Sequence, residues 1–110
     1  MPFDPGLAER LSEILDSRKG FELKKMFGGI GWLLNGHMCV GVYKEWLIIR
    51  VGEASAAKLF GEKHVKPMDI TGKPMKGWAM ISPDGVCEDS DLSRYVELAE
   101  KFVKTLPKKE

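Results

Sequence analysis

The sequence is short of nearly everything that would announce a ready-made chemistry. Its 110 residues hold two cysteines, Cys39 and Cys87, far apart and in no CxxC pattern. That excludes a disulfide scaffold and offers no zinc-ribbon spacing. No apolar run approaches the ~18 residues that a membrane helix requires, and no signal or transit peptide is readable. A cytoplasmic location with both thiols reduced is therefore expected, and no membrane partner. Net charge is only +1, so composition alone makes no case for nucleic acid. Internal repeats, low-complexity tracts and linkers are also missing, which leaves one domain spanning 1–110, long enough for its own core. A hydrophobic fraction of 44% beside 30% charged residues places it among soluble globular proteins.

The known ligand motifs fail as well. Gly29-Ile30-Gly31 runs on to Leu34, where a dinucleotide fingerprint needs a small residue, and the pattern continues as strand rather than helix. Gly72-Lys73 resembles the end of a phosphate loop, but Pro74 stands where Ser or Thr must be. His37 and Cys39 share one face of a strand, and His64 and Cys87 could complete four ligands, yet no metal-binding spacing joins them. Cys87 sits in the acidic run Cys87-Glu88-Asp89, which disfavours a thiolate. No nucleophile, base and orienting group can be named together. The expectation is no catalytic residues, no metal and no cofactor.

What is present is organised around Lys24 to Val51, a proline-free stretch holding four of the ten aromatic residues and six of the fifteen β-branched ones. Asn35-Gly36 between apolar runs predicts a two-residue hairpin, because both turn positions need φ > 0. Lys44-Glu45 predicts a second. Directly opposed residues share a face. An unbroken register then puts Gly31, Leu33, Met38, Val40, Val42, Leu47, Ile49 and Val51 on a core face. It puts Ile30, Trp32, Leu34, His37, Cys39, Gly41, Tyr43, Trp46, Ile48 and Arg50 on the other. The second set is too aromatic to meet only water. Trp32, Tyr43, Trp46, Ile48 and Arg50 are therefore a candidate interaction face, with a second copy of the chain preferred as partner because two-fold pairing needs one surface.

The rest of the chain supplies helices and a few more strands. Asp4-Pro5 is a helix start, and Leu7, Ala8, Leu11, Ile14 and Leu15 form one apolar stripe, with Gly20 as the left-handed cap. Glycines at 28, 29 and 31 predict a bend, a bulge or a close backbone approach in one long strand or two short ones. Ala54 to Phe60 favours a short helix capped at Gly61. Met68-Asp69-Ile70 is a candidate edge strand, Trp78 to Ile81 a second strand, and Ser82-Pro83-Asp84-Gly85 a turn. A last helix capped by Ser90 or Asp91 carries Leu92, Tyr95, Val96, Ala99, Phe102, Val103 and Leu106 on one stripe, with Pro107 behind it. The order is α, three strands, α, two strands, α: an α+β fold whose helices cover one face of an antiparallel sheet. Charge is unevenly spread along it. Residues 58–76 carry five lysines against two acids, and 83–100 carry six acids against one arginine. The loop from Thr71 to Trp78 offers Lys73, Lys76 and Trp78 as a candidate contact for an anion or a partner.

Four segments together resemble a known family: Met26-Phe27-Gly28-Gly29-Ile30-Gly31, Asn35-Gly36-His37-Met38, Leu47-Ile48-Ile49-Arg50-Val51, and Thr71-Gly72-Lys73-Pro74-Met75-Lys76-Gly77-Trp78. Their order and spacing are similar to those of the TfoX/Sxy N-terminal domain family, over nearly the whole chain. The resemblance implies an α-β(3)-α-β(2)-α fold in two layers. It also implies a bacterial regulator of natural competence, acting with a transcription activator at promoters, and it supplies no catalytic residues. Longer members continue into a helical C-terminal domain; with the sequence ending at Glu110, a stand-alone N-terminal domain is expected. Relatives often carry glycine at the Lys44-Glu45 turn. Three functional readings follow in order of preference. They are a non-enzymatic protein-interaction domain, a nucleic-acid-associated domain using Lys63, Lys66, Lys73 and Lys76, and an enzyme or small-ligand binder.

Overall fold

Helix α1 (Pro5–Leu15) starts as the sequence predicts. Asp4 takes the N-cap position, and its carboxylate accepts the Gly6 N–H at 2.9 Å and the Leu7 N–H at 3.4 Å. The computed structural model describes residues 4–16, 18, 20–26, 29–68 and 76–107. Six strands follow, interrupted by two further helices: β1 (Phe21–Met26), β2 (Gly29–Leu34), β3 (His37–Tyr43), β4 (Trp46–Arg50), α2 (Glu53–Leu59), β5 (Val65–Pro67), β6 (Trp78–Ile81) and α3 (Asp89–Val103). A single 3₁₀ turn, Pro83–Val86, precedes α3 and realises the turn read at Ser82 to Gly85. The strands form one antiparallel sheet in the order β1-β2-β3-β4-β6-β5. All three helices pack on the same face of it. The fold is α+β, with helices over one side of an antiparallel sheet.

The first run contains four strands where three were expected. The chain reverses between Met26 and Gly29, and β1 pairs with β2 along its whole length, from Phe21 opposite Leu34 to Met26 opposite Gly29. Gly29 marks a close approach: a Cβ there would stand 2.1 Å from the Val42 carbonyl oxygen. Beyond that, Asn35 (φ 53°) and Gly36 (φ 86°) make the expected left-handed turn. The second hairpin is also in the expected register, with Tyr43 opposite Trp46, Val42 opposite Leu47 and Val40 opposite Ile49. It requires Lys44, a side-chain-bearing residue, to adopt φ 54°.

The faces of β2 are the reverse of those read from an unbroken register. Leu33 stands opposite Met38 as expected, but Trp32 stands opposite Val40, so Cys39 is an extra residue in β3. Such a bulge lets two neighbours share a face and shifts everything beyond it by one. Both Cys39 and Val40 therefore point toward the helices. Ile30, Trp32 and Leu34 join them, and Leu33, Met38 and Gly31 turn outward. Trp32 is 2% exposed and belongs to the main core with Leu11, Val40, Ile49 and Val96. It cannot contribute to an outward-facing surface. The energetic reason is area: burying a tryptophan removes ~150–250 Å² from water, far more than the half-exposed leucine that took its place outside.

Other boundaries moved for local reasons. α1 ends at Leu15, well short of Gly20, whose φ of 91° serves the entry to β1 instead. Arg18 reaches α3, where its guanidinium bonds the Glu100 carboxylate and stands 3.9 Å from Glu97. α2 ends on Phe60 in right-handed geometry, without Gly61 as a left-handed cap. The edge strand expected at Met68 to Ile70 is β5, three residues earlier; Asp69 and Ile70 lie outside the described residues. α3 begins at Asp89 after Glu88, rather than after Ser90 or Asp91. Two acids in its first turn suit the positive helix end, and Arg10 bonds Asp89 at 3.0 Å. Ile14 and Phe102, read as core residues, are partly buried.

Candidate interaction face

The outer face of the sheet, away from the helices, gathers side chains from four strands, β3, β4, β5 and β6. Val42, Leu47 and Ile49 face the core, so alternation turns Tyr43, Trp46, Ile48 and Arg50 outward. The β4–β6 register puts Trp78 opposite Arg50 and Met80 opposite Ile48. The β5–β6 register adds Lys66 opposite Met80. Met68, immediately after β5, packs with Ile48 and Met80 into a small apolar cluster of its own. Tyr43, Trp46 and Trp78 pack around that cluster half-buried.

Each of these rings carries a cation. The Lys66 ammonium lies 4.7 Å from the centre of the Trp46 ring, Arg50 5.6 Å from Trp78, and Lys44 5.5 Å from Tyr43. Contacts of this kind contribute about 0.5–1 kcal/mol where exposed, and they hold the long side chains along the rings. The face is thus an aromatic surface capped by positive charge, around a buried aliphatic centre. Chemically it suits a partner that offers negative charge together with flat or apolar groups. Among the described residues it brings together no acid–base pair and no activated nucleophile.

Of the residues proposed from sequence, Tyr43, Trp46 and Arg50 share this face, half-buried. Ile48 shares it too but is 2% exposed, beneath its neighbours rather than available to a partner. Trp32 is in the core. Trp78, read as part of a separate loop site, stands beside Arg50 on the same face. Lys76 is exposed just before it, and Lys73 lies outside the described residues. Sequence reasoning missed Met68 and Met80, and read Lys66 as part of a separate basic segment rather than of this face. The usable signal was Pro67, which forces Lys66 into extended backbone and so favours a strand there.

A second polar cluster was also missed. Glu62, between α2 and β5, accepts two hydrogen bonds from the Arg94 guanidinium, at 2.8 and 3.3 Å, and one from the Tyr95 hydroxyl at 2.8 Å. Arg94 lies 4.5 Å from the Tyr95 ring centre. The hydrogen bonds from Arg94 hold the Glu62 carboxyl below its ordinary range. Burial, then the bond to Glu62, pushes the Tyr95 hydroxyl up to about 12. Lys63, His64, Asp84 and Asp91 complete the walls of a cleft of about 260 Å³. Among the described residues no serine, threonine or cysteine lines it, and the Glu62 carboxylate is engaged by Arg94 and Tyr95. The cluster ties α3 to the segment after α2.

The cysteines have different surroundings. Burial, reinforced by Glu100, pushes the Cys39 thiol up to about 12. Cys87 is exposed, and its thiol donates to the Pro83 carbonyl at 3.4 Å. His37 Nε2 lies 2.6 Å from the Pro107 carbonyl. Among the described residues no three His, Cys, Asp or Glu side chains are grouped as a metal would require, and no helix is long and apolar enough to cross a membrane.

Comparison with protein families matches residues 13–103 to the TfoX N-terminal domain. No curated protein and no solved structure matches the chain.

Proposed function

The chain belongs to the TfoX N-terminal domain family, and from that premise we propose that it is a competence-regulator-like, non-enzymatic interaction domain that works through the outer face of its sheet. The family is not one of known enzymes. The observation that carries the reading is the set of three cation-capped rings, Lys44 with Tyr43, Lys66 with Trp46 and Arg50 with Trp78. Aromatic residues beside arginine are what the centres of protein interfaces are enriched in. The partner is a foreign macromolecule rather than a second copy, because a two-fold pairing of this face would bring its cations, Lys44 and Arg50 among them, near those of the second copy. Like charges brought together at an interface cost several kcal/mol.

The test is a comparison of native protein with Arg50→Glu and Trp46→Ala variants whose circular dichroism is unchanged. Each is immobilised and exposed to extract from a bacterium that encodes the protein, and bound proteins are quantified by mass spectrometry. A protein retained by the native chain and lost from both variants supports the reading. Equal retention by all three rejects it. A nucleic-acid-associated domain is the second reading, favoured because cations over aromatic rings on one sheet are also how single strands are bound. Oligonucleotide anisotropy at two salt concentrations separates the two, since phosphate contacts weaken steeply with salt.

A further inference from the structure

The sheet ends on β1, and the described residues leave the outer edge of that strand unpaired. Its other end is blunted: β5 is three residues long and contains Pro67. β1 has six residues and no proline. Leu23, at its middle, is the most exposed large hydrophobic side chain described, at 54%. It lies on the helix side, since it stands opposite Trp32, yet the helix layer does not extend over it.

The hydrogen-bonding parity of the edge can be read from one bond. The Asn35 N–H donates to the Gly20 carbonyl at 3.4 Å, so Gly20 and Asn35 are a hydrogen-bonded pair in the β1–β2 register. Such pairs alternate along an antiparallel ladder. Glu22 and Lys24 therefore turn their backbone groups toward β2, and Phe21, Leu23 and Lys25 turn theirs to the free edge.

We propose that β1 pairs antiparallel with β1 of a second copy about a two-fold axis at Leu23, which makes one continuous sheet through both chains. Only three registers match free groups to free groups over most of the strand. The one centred on Leu23 sets Leu23 against Leu23 of the second copy, Phe21 against Lys25, and Glu22 against Lys24 twice. A register centred on Glu22 opposes two glutamates, and one centred on Lys24 opposes two lysines. The sequence Phe-Glu-Leu-Lys-Lys is thus charge-complementary to itself in a single register. Lysines on an edge ordinarily repel an incoming strand. Here Lys24 meets a glutamate, so they select the register. Glu22 and Lys24 stand opposite Leu33 and Gly31 within their own chain, so neither has a charged cross-strand partner on β2. The pairing uses a different surface from the cation-capped face and stands or falls without it.

Sedimentation equilibrium from low to high micromolar concentration tests this. The native chain should dimerise. Glu22→Lys replaces two attractive cross-strand pairs by two repulsive ones and should weaken the dimer about ten- to a hundredfold. Glu22→Lys combined with Lys24→Glu restores opposite charges in the same register and should recover native self-association. Leu23→Pro removes an edge N–H that no intrachain bond uses and should give a monomer with unchanged circular dichroism. A native chain that stays monomeric throughout overturns the proposal. So does a dimer indifferent to Glu22→Lys, or a double variant that fails to recover; should Leu23→Pro not fold, the charge exchange still decides.

Discussion

Replacing Trp32 and Leu33 separately by alanine isolates the effect of one inserted residue. If Cys39 is a bulge, Trp32 fills the main core at 2% exposure and Leu33 lies half-buried on the outer face. If the hairpin were regular, the two would exchange places. Truncating a buried tryptophan to alanine costs about 3–5 kcal/mol, from lost transfer energy and the cavity left behind. A half-exposed leucine has little transfer energy to lose, so Leu33→Ala should cost under ~1.5 kcal/mol. Urea unfolding followed by far-ultraviolet circular dichroism reads both. With a slope of about 1.5 kcal/mol per molar for a chain of this size, Trp32→Ala should lower the midpoint by about 2–3 M. Leu33→Ala should lower it by less than ~1 M. Emission supplies a check, since Trp46 and Trp78 remain in the variant and the loss should be of the most blue-shifted component. A larger cost for Leu33→Ala than for Trp32→Ala would refute the bulge and the assignment of both faces.

Lys44→Gly should stabilise the protein by about 0.5–1 kcal/mol, because the side chain is strained at φ 54°; a lowered urea midpoint would count against that. At mildly alkaline pH a thiol reagent should modify the exposed Cys87 in the native protein and reach Cys39, pushed up to about 12 by burial, only after unfolding. Titration of released chromophore should give one fast thiol per chain, and two fast thiols would contradict the burial of Cys39. Glu62 titrates below its ordinary 4.5 in the folded state, so its contribution is complete above that value and is lost as pH falls through the lower, folded one. Glu62→Gln should therefore lower the urea midpoint at neutral pH and make progressively less difference in acid; a gap that is constant with pH would rule out the ion pair as its source.

The elements that were legible from sequence are those specified by neighbours in the chain. Asp4 and Pro5 start a helix whatever lies around them, and Asn35-Gly36 closes a hairpin by its own dihedral preferences. The stripe from Leu92 to Val103 needs only the helical period. The β3–β4 register was legible because its loop has a fixed length and no residue is inserted beside it. The bulge was not. Nothing in His-Met-Cys-Val-Gly-Val distinguishes a bulged strand from a regular one, since the choice depends on where Trp32 can be buried, and that depends on α1 and α3. The β1–β2 reversal was hidden for a related reason: glycines at 28, 29 and 31 are compatible with a bend as well as with a hairpin.

The candidate face shows the same division at a longer range. Tyr43, Trp46 and Arg50 were found together because alternation along two adjacent strands suffices to place them. Trp78 belongs beside Arg50 only because β6 inserts between β4 and β5, a crossover that no local pattern encodes. Lys66 belongs over Trp46 for the same reason. The basic segment and the aromatic face, read from sequence as competing sites, are therefore partly one surface. That joining changes what the surface can do. A bare aromatic patch would suit a second copy, whereas on the proposed reading a patch capped by Lys44, Arg50 and Lys66 would suit an anionic partner. The self-association we propose is placed instead at the β1 edge of the sheet, where Glu22 and Lys24 complement themselves.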